Sequence, residues 1–154
     1  MQPPRNAYRM GMPRFDHVGV IVDDLDAAAE FFLSLGFEHG GRGTVDGEEV
    51  DKINGLDGVR AEFLFVRTPD RTGSLELIKY HAPPGDERPD PLPANRLGYR
   101  HICVEIDDVN ATVEELRGKG FDLVGEVQDY GNVYRLVYVR GPEGLIVELA
   151  QKLG

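Results

Sequence analysis

The sequence has few of the features that would place the chain in a membrane or an oxidising compartment. Its 154 residues include a single cysteine, Cys103, so no disulfide can form within the chain. No segment approaches the roughly 18 consecutive apolar residues that a transmembrane helix requires. The amino terminus lacks the hydrophobic stretch of a secretory signal. We therefore expect a cytoplasmic protein.

Basic residues are also scarce. The chain has 17 Lys and Arg against 27 Asp and Glu, which gives a formal net charge of −10, and its basic residues form no cluster. Such a surface repels phosphate backbones and anionic headgroups, so we expect neither a nucleic acid nor a membrane as partner. A small-molecule substrate remains, and it can be anionic, because a metal and a few arginines can reverse the field inside a pocket.

An internal repeat is present in the sequence. The segment FDHVGVIVDDLDAAAEFFLSLGF, which begins at Phe15, aligns without a gap on YRHICVEIDDVNATVEELRGKGF, which begins at Tyr99, a shift of 84 residues. In this alignment His17 falls on His101. Matches in register over that length indicate a duplicated unit.

Each copy of the repeat predicts a strand, a helix and three further strands. The predicted strands are 17–22, 37–41, 61–67 and 75–80 in the first copy and 101–106, 122–128, 133–140 and 145–150 in the second. The predicted helices are 27–35 and 111–119, each preceded by an Asp-Asp pair that offers a cap and followed by a glycine. Residues 42–58 are predicted to form an irregular region, which is a candidate lid.

The length fits one domain with a sizeable core. We expect a flexible N-terminal extension at 1–14 and a single domain at 15–154. This domain comprises a first module at 15–82, a proline-rich linker at 83–97 and a second module at 98–154.

Four side chains of the repeat form a candidate metal site. Strand alternation places His17 and His101 on the face away from the helices, and alignment of LELIKY on VELAQK places Glu76 on Glu148. A carboxylate between aliphatic strand residues needs a cation, hydrogen bonds or a proton. Two imidazoles and two carboxylates suit Zn, Ni, Co, Mn or Fe(II) better than Ca or Mg. A single histidine or glutamate in a strand usually has no metal-binding role. The recurrence of both residue types at matching positions in the two copies favours a metal site.

For the cysteine and the strand tyrosines, a structural role is favoured over a functional one. Cys103 is expected to be a small buried residue and not a ligand, because nothing near it in sequence would lower its pKa. Tyr80, Tyr134 and Tyr138 could line a pocket, but strand tyrosines are more often part of the core.

These residues resemble the vicinal oxygen chelate superfamily, which contains glyoxalases, bleomycin-resistance proteins and dioxygenases. The resemblance covers the chain from Phe15 to Leu153 and is most specific in FDHVGVIVDDLDAA, SLELIKY and RGPEGLIVELAQ. It implies an α+β fold in which two βαβββ modules form a cupped, incomplete mixed β-barrel around one divalent metal. The implied ligands are His17, Glu76, His101 and Glu148.

The four-ligand pattern is most similar to that of glyoxalase I and methylmalonyl-CoA epimerase. The resemblance therefore implies a lyase or isomerase that moves a proton next to a metal-bound carbonyl through an enolate, with Glu148 or Glu76 as base. An extradiol-type dioxygenase with Fe(II) and a non-catalytic, bleomycin-resistance-like binding protein are the alternatives. We expect a homodimer, in which the modules pair either within one chain or between two.

Overall fold

The computed structural model describes residues 14–85 and 92–154. The predicted N-terminal extension, apart from Arg14, lies outside the described residues, and so do residues 86–91 of the predicted linker. The division into modules and linker stays a prediction, as does the cytoplasmic location. Among the described residues, no helix has the length and apolar character needed to span a bilayer.

The first module forms a four-stranded mixed sheet. Its elements are β1 (Val18–Ile21), α1 (Leu25–Ser34), β2 (Glu38–Asp46), α2 (Glu48–Asn54), β3 (Arg60–Arg67) and β4 (Ser74–Ala82). The strand order is β1-β4-β3-β2, with β1 parallel to β4 and the other pairs antiparallel. Strand β1 is therefore an edge of the sheet.

The second module repeats this topology. Its elements are β5 (His101–Glu105), α3 (Val109–Gly118), β6 (Gln128–Tyr130), β7 (Tyr134–Arg140) and β8 (Ile146–Lys152), with a single 3-10 turn at Pro142–Gly144. The strand order is β5-β8-β7-β6, with β5 parallel to β8. The predicted fold class is confirmed: two four-stranded mixed sheets with helices, not closed into a barrel.

The ends of both long helices follow the sequence signals. The carboxylates of Asp24 and Asp108 accept hydrogen bonds from the backbone N–H groups of Ala27 and Ala111, both at 3.0 Å, which caps the helix N-termini. Both Gly36 and Gly120 have positive φ, 94° and 88°, where other residues would be strained. The sequence repeat is thus also a repeat of helix boundaries.

One hydrophobic core serves both modules. It joins the helix-facing side chains of the two sheets, such as Leu77 in β4 and Leu149 in β8, to α1 and α3 between them. At the contact between modules the ring of Phe31 packs on that of Phe121, with centroids 4.7 Å apart. The opposite face of each sheet is therefore turned away from this core.

Two secondary-structure predictions were wrong. Residues 42–58 are not irregular: β2 continues to Asp46, and α2 follows after Gly47. Glycines and charges suggested a loop, but pairing with β3 satisfies this backbone and overrides local propensity. In the second module β6 is Gln128–Tyr130, and residues 122–127 contribute only an isolated bridge, Leu123 to Val139.

Candidate metal site

The first candidate ligand pair lies at the open edge of the first sheet. His17 immediately precedes β1, and Glu76 in β4 is the register partner of Gly19 in β1. The Nε2 atom of His17 lies 3.0 Å from Oε2 of Glu76, and the side chains are 35% and 23% exposed. Both donors are thus fixed by the sheet and still accessible from outside.

The second pair repeats this arrangement in the second sheet. His101 begins β5, and Glu148 in β8 is the register partner of Cys103 in β5. The Nε2 atom of His101 lies 3.3 Å from Oε2 of Glu148, and the side chains are 40% and 19% exposed. Because the strands pair in the same register in both sheets, a histidine and a glutamate lie side by side at equivalent positions.

The donor spacing in both pairs suits a transition metal. Nitrogen and oxygen ligands about 2.1 Å from one ion are about 3.0 to 3.4 Å apart at octahedral or tetrahedral angles. The observed separations of 3.0 and 3.3 Å fall in that range. Each pair can therefore provide two neighbouring ligands, which is half of the predicted set.

Within one chain the two pairs stay apart. Among residues 14–85 and 92–154, no group of three or more His, Cys, Asp or Glu side chains is placed to hold a metal ion. Among these residues the chain therefore presents two separate pairs and not one cluster of four. We call His17 with Glu76 the first half-site and His101 with Glu148 the second half-site. The prediction that all four residues bind one metal stays a prediction.

The first half-site has a carboxylate behind its histidine. The Nδ1 atom of His17 is 2.6 Å from Oδ2 of Asp16. This hydrogen bond is the main reason that the pKa of His17 is raised, and the charge of Glu76 adds to it. When the neutral imidazole donates from Nδ1 to Asp16, its Nε2 lone pair is left for a metal. Sequence reasoning missed Asp16, which the repeat aligns with Arg100.

Cys103 is exposed, and the prediction that it is a small buried residue was wrong. Strand β5 is an edge strand, and the odd-numbered residues of β5 lie on the face away from the core. Loss of hydration, together with the charge of Glu148 and a hydrogen bond to it, raises the pKa of Cys103 to about 11. The thiol is therefore neutral at physiological pH and unsuited to act as a nucleophile.

An aromatic ring lies against each histidine. The ring of Phe65 in β3 meets that of His17 edge-on, with centroids 5.5 Å apart, and Tyr138 in β7 lies 5.2 Å from His101. Both aromatics are register partners of the candidate glutamates. Tyr138 therefore lines the second half-site and is not only a core residue. The signal for these positions is the alignment of FLFVR (63–67) on LVYVR (136–140), which needs a different shift from that of the first strands.

A cavity of 490 Å³ lies between the two modules. Its walls include Thr68 and Ser74 from the β3–β4 hairpin and all five residues of β5, but of the four candidate ligands only His101 reaches it. The Ser74 hydroxyl is buried there without a hydrogen-bond partner among the described residues. The cavity therefore adjoins the second half-site and does not join it to the first.

The chain is similar to proteins of known sequence and structure. It is 27% identical over 144 residues to human mitochondrial methylmalonyl-CoA epimerase, covering 90% of this chain and 73% of that protein. It is 23% identical over 157 residues to the lactoylglutathione lyase of Schizosaccharomyces pombe, where the match covers 90% of this chain and only 45% of the yeast protein.

Among solved structures, a glyoxalase family protein from Bacillus cereus is 37% identical, with a TM-score of 0.89 over 93% of this chain and 96% of that one. The glyoxalase I of Leishmania major, at 20% identity and a TM-score of 0.63 over 91% and 87% of the two chains, shares the fold. Residues 16–138 match the family described as the glyoxalase/bleomycin resistance protein/dioxygenase superfamily. The chain belongs to that superfamily.

Proposed function

We propose that this protein is a divalent-metal-dependent lyase or isomerase that moves a proton next to a substrate carbonyl. The observation that carries the proposal is the presence of two matching half-sites, each with an imidazole nitrogen and a carboxylate oxygen 3.0 or 3.3 Å apart. The similarity to an epimerase and a lactoylglutathione lyase supports this reaction class.

In this proposal His17, Glu76, His101 and Glu148 hold the ion. The donor set of two imidazoles and two carboxylates fits Zn, Ni, Co, Mn or Fe(II). Such a cation would supply Lewis-acid stabilisation of the negative charge that develops on a carbonyl oxygen.

The proton transfer itself falls to a glutamate. Glu76 and Glu148 are each partly shielded, at 23% and 19% exposure, and each lies beside an aromatic ring that can exclude water. A carboxylate in this position can take a proton from the carbon next to the carbonyl and return it to the neighbouring atom or to the opposite face. Phe65 and Tyr138 would orient the substrate between the two carboxylates.

The complete site is proposed to form between two copies of the chain. Among the described residues of one chain, no three of these four side chains come close enough together to hold an ion. Strands β1 and β5, which adjoin the two histidines, each pair on one side only among the described strands. A two-fold dimer could place β1 of one copy beside β5 of the other, and symmetry would then create two equal sites.

The test combines metal analysis with proton exchange. Freshly purified protein should contain about one transition metal ion per chain, and E76Q and E148Q should each lower metal affinity by at least tenfold. E38Q, a change at an exposed strand residue outside both half-sites, is the matched control. Loaded protein should exchange the proton next to the carbonyl of a methylglyoxal hemithioacetal or of methylmalonyl-CoA with D2O. Absence of any transition-metal affinity would refute the proposal, and tight ligand retention without exchange would favour a binding protein.

A further inference from the structure

The register of the two sheets extends the repeat beyond the candidate ligands to an arginine. Two residues after the aromatic partner of each glutamate, β3 ends at Arg67 and β7 ends at Arg140. Each half-site is therefore accompanied by an aromatic ring and an arginine at equivalent positions. This equivalence makes the surroundings of the two guanidinium groups directly comparable.

The two arginines have different surroundings. Arg140 is partly buried and donates a hydrogen bond from a terminal guanidinium nitrogen to the carbonyl oxygen of Gly144 at 2.9 Å, so it holds the turn before β8. Arg67 is exposed, and within the described parts of the chain it forms no ion pair with a carboxylate. Arg140 therefore stabilises a turn through its hydrogen bond, and Arg67 has no equivalent hydrogen bond to any residue that the structure describes.

Arg67 is nevertheless held in a defined place. Its guanidinium carbon lies 5.2 Å from the centroid of the Phe65 ring, and that ring meets His17 edge-on. Gly40 in β2 makes room for this arrangement, because a Cβ atom there would lie 2.7 Å from Cβ of Phe65 and 3.3 Å from Nε of Arg67. Guanidinium, ring and imidazole thus form one row across the first half-site.

We propose that Arg67 is a specificity-determining residue that binds a carboxylate group of the substrate. The inference rests on the proposed function and adds the class of substrate: a molecule whose reacting carbonyl lies at the half-site while an anionic end reaches over Phe65. A planar guanidinium offers paired N–H donors that match a carboxylate. A local cation is needed, because the chain carries a net charge of −10 and would otherwise repel an anion.

Chelating probes separate this role from a purely structural one. Metal-loaded protein is titrated calorimetrically with alkyl hydroxamates of graded tail length that end in a carboxylate, and with the same compounds ending in a carboxamide. Wild type should bind the best carboxylate at least about tenfold more tightly than its carboxamide. R67M should bring this ratio close to one, and R67K should retain part of it because an ammonium group lacks the paired donors.

The matched control is R60M, which removes the same charge from the opposite end of β3, about 23 Å away along the strand, and should keep the wild-type ratio. A wild-type ratio in R67M would overturn the inference. If R67M does not fold, the neutral variant R67Q replaces it, and a wild-type ratio in R67Q overturns the inference. Failure of the wild type to bind any hydroxamate would overturn the metal proposal and this inference together, whereas equal binding of carboxylate and carboxamide would overturn only the role of Arg67.

Discussion

Asp16 contributes more to the first half-site than its position on the surface suggests. Its side chain is 89% exposed, yet one oxygen lies 2.6 Å from Nδ1 of His17 and fixes the orientation of the ring. Carboxylates behind metal-binding histidines set the tautomer and increase the basicity of the ligand nitrogen. The second half-site has Arg100 at the equivalent position, so the two histidines are not electronically equal.

Replacement of Asp16 should therefore weaken metal binding through His17. We expect D16N to lower metal affinity about tenfold, measured by competition with a chromophoric chelator. D57N, at an exposed position outside the half-sites, should leave affinity unchanged. In metal-free protein, D16N should lower the raised pKa of His17, and an NMR titration measures this change. Metal affinity in the wild type should decrease as the pH drops through that raised pKa, because a proton then occupies Nε2. Wild-type affinity in D16N despite a lower pKa would contradict the positioning role.

Cys103 gives a second test at this scale, through its raised pKa of about 11. In metal-free protein, alkylation by iodoacetamide should be slow at pH 7.5 and should accelerate with each pH unit up to about pH 11. E148Q should lower this pKa and speed alkylation at pH 8.5, since it removes a neighbouring negative charge. E126Q serves as a control at an exposed residue of the same module. Rapid alkylation of the wild type at pH 7.5 would show that the pKa of the Cys103 thiol is not raised.

The sequence predicts where single residues lie only where the repeat and strand alternation act together, and metal binding by those residues stays a prediction. His17 and His101 align in one register and Glu76 and Glu148 in another, and each histidine lies beside its own glutamate. Alternation could not decide whether Cys103 is buried, because that depends on whether β5 is an edge strand. Asp16 was missed, because it acts through a contact with His17 that the second module, with Arg100 at the equivalent position, does not repeat.

At the scale of elements, β2 depends on two glycines that local propensity would assign to a loop. Gly40 lies under Phe65, and a Cβ atom at Gly43 would lie 2.8 Å from the ring of Phe63. Neither glycine has a positive φ, so the requirement is for close approach and not for backbone freedom. The long strand after Phe37 was predicted too short because this packing is invisible in the sequence.

Neighbouring glycines in β2 provide a matched pair of variants. G40A should destabilise the protein by about 1 to 3 kcal/mol, because the added methyl group must displace Phe65. G41A should be within about 0.5 kcal/mol of wild type, since no atom beyond its two chain neighbours lies within 4 Å of the position its methyl group would occupy. Urea denaturation followed by circular dichroism measures both. Equal stabilities of the two variants would mean that Phe65 does not need this close approach.

At the scale of the whole molecule, the sequence predicted the modules but left their pairing open. Capping residues, helix-ending glycines and apolar alternation are local, and the structure confirms them in both copies. How the modules assemble is decided by the shared core around α1 and α3, where Phe31 meets Phe121 and Lys119 meets Ser34. Among the described residues of one chain, no three of the four residues predicted for one site come together.

A hybrid dimer tests whether the site is shared between chains. One variant carries H17N with E76Q, and the other carries H101N with E148Q, so neither homodimer retains an intact site. In a hybrid, the intact second half-site of the first chain would meet the intact first half-site of the other. Two-fold symmetry then gives one complete and one fully impaired site.

Co-expression with two affinity tags isolates this hybrid. We expect about one tightly bound metal ion per hybrid dimer, compared with about two in the wild type and none in either parent. Circular dichroism of both parents verifies that loss of metal does not reflect unfolding. If both half-sites of a metal centre came from one chain, each chain of the hybrid would lack a half-site and the hybrid would bind no metal. The stoichiometry of one therefore distinguishes assembly between chains from assembly within one.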